Sequence, residues 1–350
     1  MRVALLAPVA YPVPPDGYGG TEHAVATLAQ ALVKRGLDVT IFASGDSLPG
    51  VPLRALFRHA LGYGEKRSRA EYEQLEREHV CWAYKQAHEF DLVHDHTKTN
   101  GACLAYQAAV PVLTTVHNDL TPERRAIYAR CVGHPFVALS HAHAQRMPEL
   151  AWFGVVPNGV TIPKGLGASH RGADLLFFSR IDAHKGAHIA ARLAHECDWP
   201  LVMAGRLTPD DQPFFNQQVA PFLDGVNRRF IGEVTGTMRW TVLNRAKALL
   251  FPITWPEPFG LVMIEAMATG TPVIAHVCGA VGEIVNDGVT GILLPQDATN
   301  AAWQSAVRRV AKLQSHDCVA HVQAHFSAQH MAARYAALYE ALLARDASST

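Results

Sequence analysis

Short apolar strands alternate with amphipathic helices along this chain, and the alternation runs twice. In the first run, residues 3–7, 38–43, 92–94, 112–115 and 136–139 read as strands, and helices are predicted at 21–35, closed by Gly36, and at 69–90. A stretch rich in Gly, Pro and Ser follows at 157–171. The pattern then restarts. Strands are predicted at 175–178, 201–204, 229–231, 248–253, 272–275 and 292–294, with helices at 187–195 and 213–223. Strands that alternate with helices build parallel sheets. Two such runs joined by one linker predict an α/β protein with two Rossmann-like domains, 1–163 and 172–328, whose sheets face each other across a cleft. A last amphipathic stretch, about 329–346, puts Met331, Tyr335, Leu338 and Leu342 on one stripe and can pack on either domain.

The 350 residues carry 31 Lys and Arg against 31 Asp and Glu, so no electrostatic case exists for nucleic acid. No basic amphipathic helix stands out, so membrane association is not indicated. The six cysteines are scattered without metal-ligand spacing, as expected of reduced thiols in a cytoplasmic chain. Residues 3–9 are apolar but too short for a secretion signal, and Pro12, Pro14 and Pro15 soon interrupt them. No apolar run approaches the roughly 18 residues of a membrane span.

Open α/β sheets bind ligands outside the carboxyl ends of their strands. Four segments fall there. The first is 257–265, Glu-Pro-Phe-Gly-Leu-Val-Met-Ile-Glu, where two carboxylates flank a turn that leads into an apolar helix. Glu257 is expected on the loop and Glu265 about two turns into the helix. Carboxylates accept hydrogen bonds in up to about four directions, which suits sugar hydroxyls. An acid among Val262, Met263, Ile264, Ala266 and Met267 also needs a partner. The second segment, 175–186, puts Arg180 and Lys185 on a loop after a strand, a pair suited to a pyrophosphate or merely solvated. The third is the Gly19-Gly20 loop before the first helix. It can offer amides to a phosphate, yet Glu22 replaces the third glycine of a dinucleotide fingerprint, so a nicotinamide oxidoreductase is excluded. The fourth is His117, after the strand at 112–115. His94 and His96 alternate on a strand end in metal-ligand fashion, but no third ligand can be identified. Asp210-Asp211 reads as a solvated helix start.

Taken in order, these segments, with Pro157-Asn158-Gly159-Val160, Val93-His94-Asp95-His96 and the tail that runs from Glu265 to Ala275, resemble the retaining glycosyltransferases of family 4. The short spacing from Arg180 to Lys185 resembles the subgroup that contains the avilamycin-pathway glycosyltransferase. The resemblance implies a GT-B fold, with acceptor on the first domain, nucleotide-sugar donor on the second and the last helix crossing back to the first. It implies that Glu257 contacts the donor sugar and Glu265 the ribose. Arg180 and Lys185 would hold the diphosphate, supported by Gly19, Gly20 and the backbone at Phe259, Gly260 and Leu261. His117 would lie against the donor sugar, with Gly205 and Ile231 near the base. His117, Glu257, Arg180 and Lys185 are the catalytic candidates. No metal and no cofactor are expected, and a UDP-hexose is the preferred donor.

The acceptor, a small molecule, a glycan or a lipid-linked sugar, cannot be read. Loops 47–69 and 118–135 would set it, and Arg124 and Arg125 would meet an anionic one. Competing readings are a nucleotide-sugar epimerase, a sugar phosphorylase and a non-catalytic nucleotide-sugar-binding protein.

Overall fold

The computed structural model describes residues 1–62, 67–162, 165 and 171–348. Residues 163, 164 and 166–170 of the junction expected at 157–171, and residues 63–66 of the loop at 47–69, lie outside the described residues. The chain divides into two compact units, Met1–Gly159 with Ala328–Thr350, and Val160–Ser327.

The first unit runs β1 (Arg2–Leu6), α1 (Gly20–Lys34), β2 (Asp38–Phe42), β3 (Leu53–Arg54), α2 (Arg69–Tyr84), β4 (Leu92–Asp95), α3 (Thr99–Leu104), β5 (Val112–Thr115), α4 (Pro122–Tyr128), β6 (Phe136–Ala138), α5 (His141–Gln145) and β7 (Trp152–Val155). Its strands form a parallel sheet in the order β3-β2-β1-β4-β5-β6-β7. Val3, Ala4, Leu5 and Leu6 of β1 are all buried, as a strand covered on both faces requires. α1 buries Val25, Leu28, Ala29 and Leu32, spaced three and four apart. It stops where the N–H groups of Gly36 and Leu37 turn back to the carbonyls of Val33 and Leu32. The helix predicted at 69–90 starts on a Ser68–Glu71 capping box and ends early. From Gln86 the backbone tightens into a 3-10 turn, and Phe90 becomes extended and packs on Phe42.

The second unit runs β8 (Leu175–Phe178), α6 (Ala187–Glu196), β9 (Leu201–Ala204), α7 (Gln212–Gln218), β10 (Arg228–Phe230), α8 (Gly236–Arg245), β11 (Ala248–Phe251), α9 (Leu261–Ala268), β12 (Val273–His276), α10 (Val281–Ile284), β13 (Gly291–Leu294), α11 (Asn300–Val310) and α12 (Ser315–His325). Its parallel sheet has the order β10-β9-β8-β11-β12-β13 around a core that includes Phe177, Leu250, Ile274 and Trp303. The helix predicted at 213–223 breaks after Gln218, because Pro221 has no N–H to continue it.

The final helix, α13 (Ala328–Ala347), belongs to the first unit. Met331, Tyr335, Tyr339 and Leu342 are buried in one cluster with Val25, Leu28 and Leu32 of α1. Leu338 of the predicted stripe is only partly buried and lies against Gly154. Among the described residues no helix is long and apolar enough to cross a membrane.

In both sheets the strand order reverses beside the first strand, between β1 and β4 and between β8 and β11. Such switch points open a crevice at the carboxyl ends of the strands. The loops after these four strands carry Gly19-Gly20, His96, Arg180 with Lys185, and Glu257.

Candidate active site

In the second unit, the loop after β8 is built around Asp182. This nearly buried carboxylate accepts the backbone N–H of Lys185 at 2.8 Å and pairs with the Arg180 guanidinium at 3.0 Å. The loop is pinned to the end of β11. Thr254 N–H donates to His184 O at 3.1 Å, and its hydroxyl donates to Ala183 O at 3.2 Å. Gly186, at φ 77°, packs so tightly that a Cβ there would lie 2.0 Å from Pro252 O. The close approach lets the Lys185 ammonium pair with the Glu257 carboxylate. The same ammonium stands 4.9 Å from the centre of the Trp255 ring. Both charges are largely withdrawn from water, and each lowers the cost of burying the other.

Glu257 precedes the turn at Gly260 that caps α9. Its backbone rests on Gly279, where a Cβ would lie 2.4 Å from Glu257 O and 2.5 Å from Glu257 N, and Ala280 N–H donates to Glu257 O at 2.9 Å. Phe259 is buried, with its ring edge-on to Phe326 at 6.0 Å. Leu261 opens α9, where Met263 N–H turns back to Gly260 O at 3.1 Å and the N–H groups of Leu261 and Val262 have no intrahelical acceptor.

Glu265 is the fifth residue of α9. That is little more than one turn, not the two turns expected, because the helix begins at Leu261 and Pro258-Phe259-Gly260 remains loop. The partner that its apolar surroundings demand is Arg239 of α8, which pairs with Oε1. Oε2 is buried without a hydrogen-bond partner.

Gly205 follows β9 and donates its N–H to Gly232 O at 2.9 Å. Ile231 was expected within a strand, but β10 ends at Phe230. Its N–H still reaches Met203 O at 2.9 Å, and its side chain is 42% exposed, an apolar surface at the carboxyl edge of the sheet.

In the first unit, Gly19 and Gly20 lead directly into α1, and Glu22 folds its carboxylate back against Gly19. Glu22 is buried. Desolvation raises its pKa to about 7, against the pull of Lys98, while neighbouring Glu76 pushes the same way as burial. Glu76, also buried and raised by desolvation, accepts from Tyr72 OH at 2.5 Å and Asn100 Nδ2 at 2.7 Å.

His94 and His96 point the same way, with ring centres 4.0 Å apart. His94 uses both nitrogens structurally, with Nδ1 2.7 Å from Tyr339 OH and Nε2 2.8 Å from Thr115 Oγ1. His96 Nδ1 lies 2.8 Å from His117 Nε2. Burial holds all three imidazoles well below their ordinary pKa, so they are neutral. His96 Nε2 is buried without a partner. An orphaned N–H there would cost more than an orphaned acceptor. The network therefore assigns the His96 proton to Nδ1, donated to His117, and leaves His117 its own proton on Nδ1.

Other candidates have local roles. Asp211 accepts from Thr208 Oγ1 at 2.6 Å and sits at the start of α7. Arg125 pairs with Glu149 at 2.9 Å, and Arg124 donates to Asp119 O at 3.2 Å. Among the described residues no three His, Cys, Asp or Glu side chains come together as a metal site. Arg239, Asp182, Trp255 and Gly279 are absent from the sequence prediction. Of these, Asp182 and Trp255 were within reach, since they stand between or beside residues already singled out.

Residues 18–162 match the family model for Glycosyltransferase Family 4, and residues 161–324 match that for glycosyl transferases group 1. Together the two matches span residues 18–324 and make the chain a glycosyltransferase of the family 4/group 1 type. This glycosyltransferase is similar to the phosphatidyl-myo-inositol mannosyltransferase of Mycobacterium leprae, 27% identical over 323 residues that make up 84% of this chain and 83% of that protein. Its structure is similar to that of AviGT4, a glycosyltransferase involved in avilamycin A biosynthesis, with a TM-score of 0.75, 26% identity and 98% of each chain covered. Sucrose-phosphate synthase from Thermosynechococcus elongatus, 20% identical, shares the fold at a TM-score of 0.81 over 99% of this chain and all of the other. The fold is GT-B, as expected.

Proposed function

We propose that this glycosyltransferase moves a hexose from a nucleotide-sugar donor with retention of the anomeric configuration and without a metal ion. The observation that carries the reading is the Lys185–Glu257 pair, fixed where β8 and β11 end and flanked by Arg180. Cleavage of a sugar–phosphate bond leaves negative charge on the diphosphate. Arg180, Lys185 and the amides at the start of α9 are placed to receive it, and the Gly19-Gly20 amides are of the same kind. Preorganised donors of this sort usually supply the largest part of catalysis. Glu257 then accepts hydroxyls of the sugar and Glu265 those of the ribose, while His117 offers Nδ1–H to the sugar. Glu257, engaged by Lys185, is a holder of the donor and not a nucleophile. Retention follows from attack on the face that the diphosphate leaves, with a phosphate oxygen taking the acceptor proton.

A UDP-hexose is the first donor to test. The mannosyltransferase relative makes a mannosyl donor the second. A panel of nucleotide sugars screened for slow hydrolysis, read as released nucleotide, needs no acceptor and identifies base and sugar together. Proton NMR of the sugar first formed reports the anomeric configuration. Release of the matching nucleotide with a retained anomer is the expected result. Thermal stabilisation by UDP without turnover of any donor would instead favour a non-catalytic binding protein, and an inverted anomer would remove the retaining mechanism.

A further inference from the structure

Glu265 is held by a residue outside its own helix. Along α9 its neighbours Met263, Ile264, Ala266, Met267 and Ala268 are all buried and apolar. A lone carboxylate in such surroundings is neutralised or swings away. Arg239 prevents both. Its Nη2 engages Glu265 Oε1, and its Cζ lies 5.8 Å from the ring of Phe178 and 6.0 Å from that of Trp240. Phe178 is the last residue of β8, directly before the Ser179-Arg180 loop. The guanidinium is thus seated against aromatic rings and presents a planar fork, which restricts the carboxylate more than a flexible ammonium can. One oxygen of Glu265 is committed to Arg239, and the other, Oε2, is buried without a partner. A buried acceptor left empty is costly, so a ligand hydroxyl that fills it gains more than one that meets solvent.

We propose that Arg239 is a positioning residue that makes this enzyme selective for ribonucleotides. It fixes Glu265 so that Oε2 alone accepts one hydroxyl of the ribose. The inference rests on the proposed role of Glu265 and goes beyond it, because discrimination then depends on a cation that does not itself touch the nucleotide. A site built to bond a hydroxyl rejects the analogue that lacks it, since its own polar group is left unpaired.

Calorimetry tests this with UDP, GDP and ADP against their 2′-deoxy and 2′,3′-dideoxy counterparts, on the wild type, Arg239→Met, Arg239→Lys and Glu265→Gln. For the nucleotide that binds, the wild type is expected to prefer the ribo form by about a hundredfold, the size of one hydrogen bond to a charged group. Arg239→Met should reduce that preference to below about tenfold, with its melting temperature recorded in parallel. If Arg239→Met does not fold, Arg239→Lys decides, because it keeps the charge and loses the fork; a preference at least tenfold below that of the wild type supports the proposal. Loss of the preference in Glu265→Gln but not in the Arg239 variants overturns the role of Arg239 and leaves that of Glu265 intact. A wild type that does not discriminate, or variants that all discriminate as it does, overturns both roles. A uniform loss of affinity for ribo and deoxy forms alike shows a structural role only and also overturns the proposal.

Discussion

Lys185 and Glu257 neutralise each other where β8 and β11 end side by side, with side chains only 14% and 11% exposed. A cation that keeps the proposed sugar-binding carboxylate in place can also face the departing phosphate, so in the proposed mechanism one residue serves both ends of the bond that breaks. The two functions separate on mutation.

Lys185→Met is expected to lower turnover by about a hundredfold or more, the size of losing one transition-state donor, and Arg180→Ala should do the same. Lys185→Met also leaves Glu257 buried and uncompensated, which costs about 3–5 kcal/mol of stability. The double variant Lys185→Met/Glu257→Gln removes both charges and should regain most of that stability without regaining turnover. Steady-state kinetics and chemical denaturation of the three proteins check this. Near-normal turnover in either Lys185→Met or Arg180→Ala removes the role assigned to that residue.

Gly279 carries a second expectation, because it lies against the Glu257 backbone at φ 58°. A methyl group there would sit well inside contact distance of Glu257 N and O. The left-handed conformation adds about 1–2 kcal/mol of strain for alanine. Gly279→Ala should push the Glu257 loop outward, and we expect kcat/KM for the donor to fall at least tenfold while the protein still folds. Unchanged kcat/KM would show that the position of Glu257 does not depend on this contact.

How far the sequence reveals such relationships depends on where the information lies. β8 and β9 can be read residue for residue, since buried parallel strands are unbroken apolar runs bounded by loop residues. The site loops follow from those strands by position alone. α8 offers no such signal. Leu243 is its one buried residue, and Thr, Arg, Trp and Asn interrupt any stripe. The need of Glu265 for a cation is legible in its apolar neighbours, but that need names a residue type and no position. The contact of Gly279 with Glu257 and the embrace of His94 by Tyr339 are tertiary facts, brought about by a turn after β12 and by a helix 245 residues away from its partner in sequence.

Metal dependence gives a third expectation. The proposed chemistry draws its countercharge from Arg180 and Lys185, both held by acidic partners at the end of β8. Activity measured after EDTA treatment and desalting should therefore stay within about twofold of the untreated enzyme, because the fixed cations provide the electrostatic stabilisation. Loss of activity with rescue by Mn²⁺ or Mg²⁺ would overturn the metal-free mechanism.

Glu22 makes the stability of the first unit depend on pH, and the sign follows from its burial. Its pKa is raised from 4.5 to about 7 in the folded protein, because desolvation outweighs the attraction of Lys98, with Glu76 and Tyr72 as the other ionisable neighbours. The folded state holds this proton more tightly than the unfolded chain does. The resulting stability is fully present below pH 4.5 and is lost as the pH rises through about 7. Across that window the loss is on the order of 3 kcal/mol. Glu22→Gln cannot ionise and escapes it. The difference in unfolding free energy, variant minus wild type, should be smallest near pH 5, rise until about pH 7 and then level off. Urea denaturation at pH 5, 6, 7 and 8 measures it. A difference that stays flat over this range would mean that Glu22 ionises as an ordinary exposed acid, and its place against Gly19 would then have no electrostatic consequence.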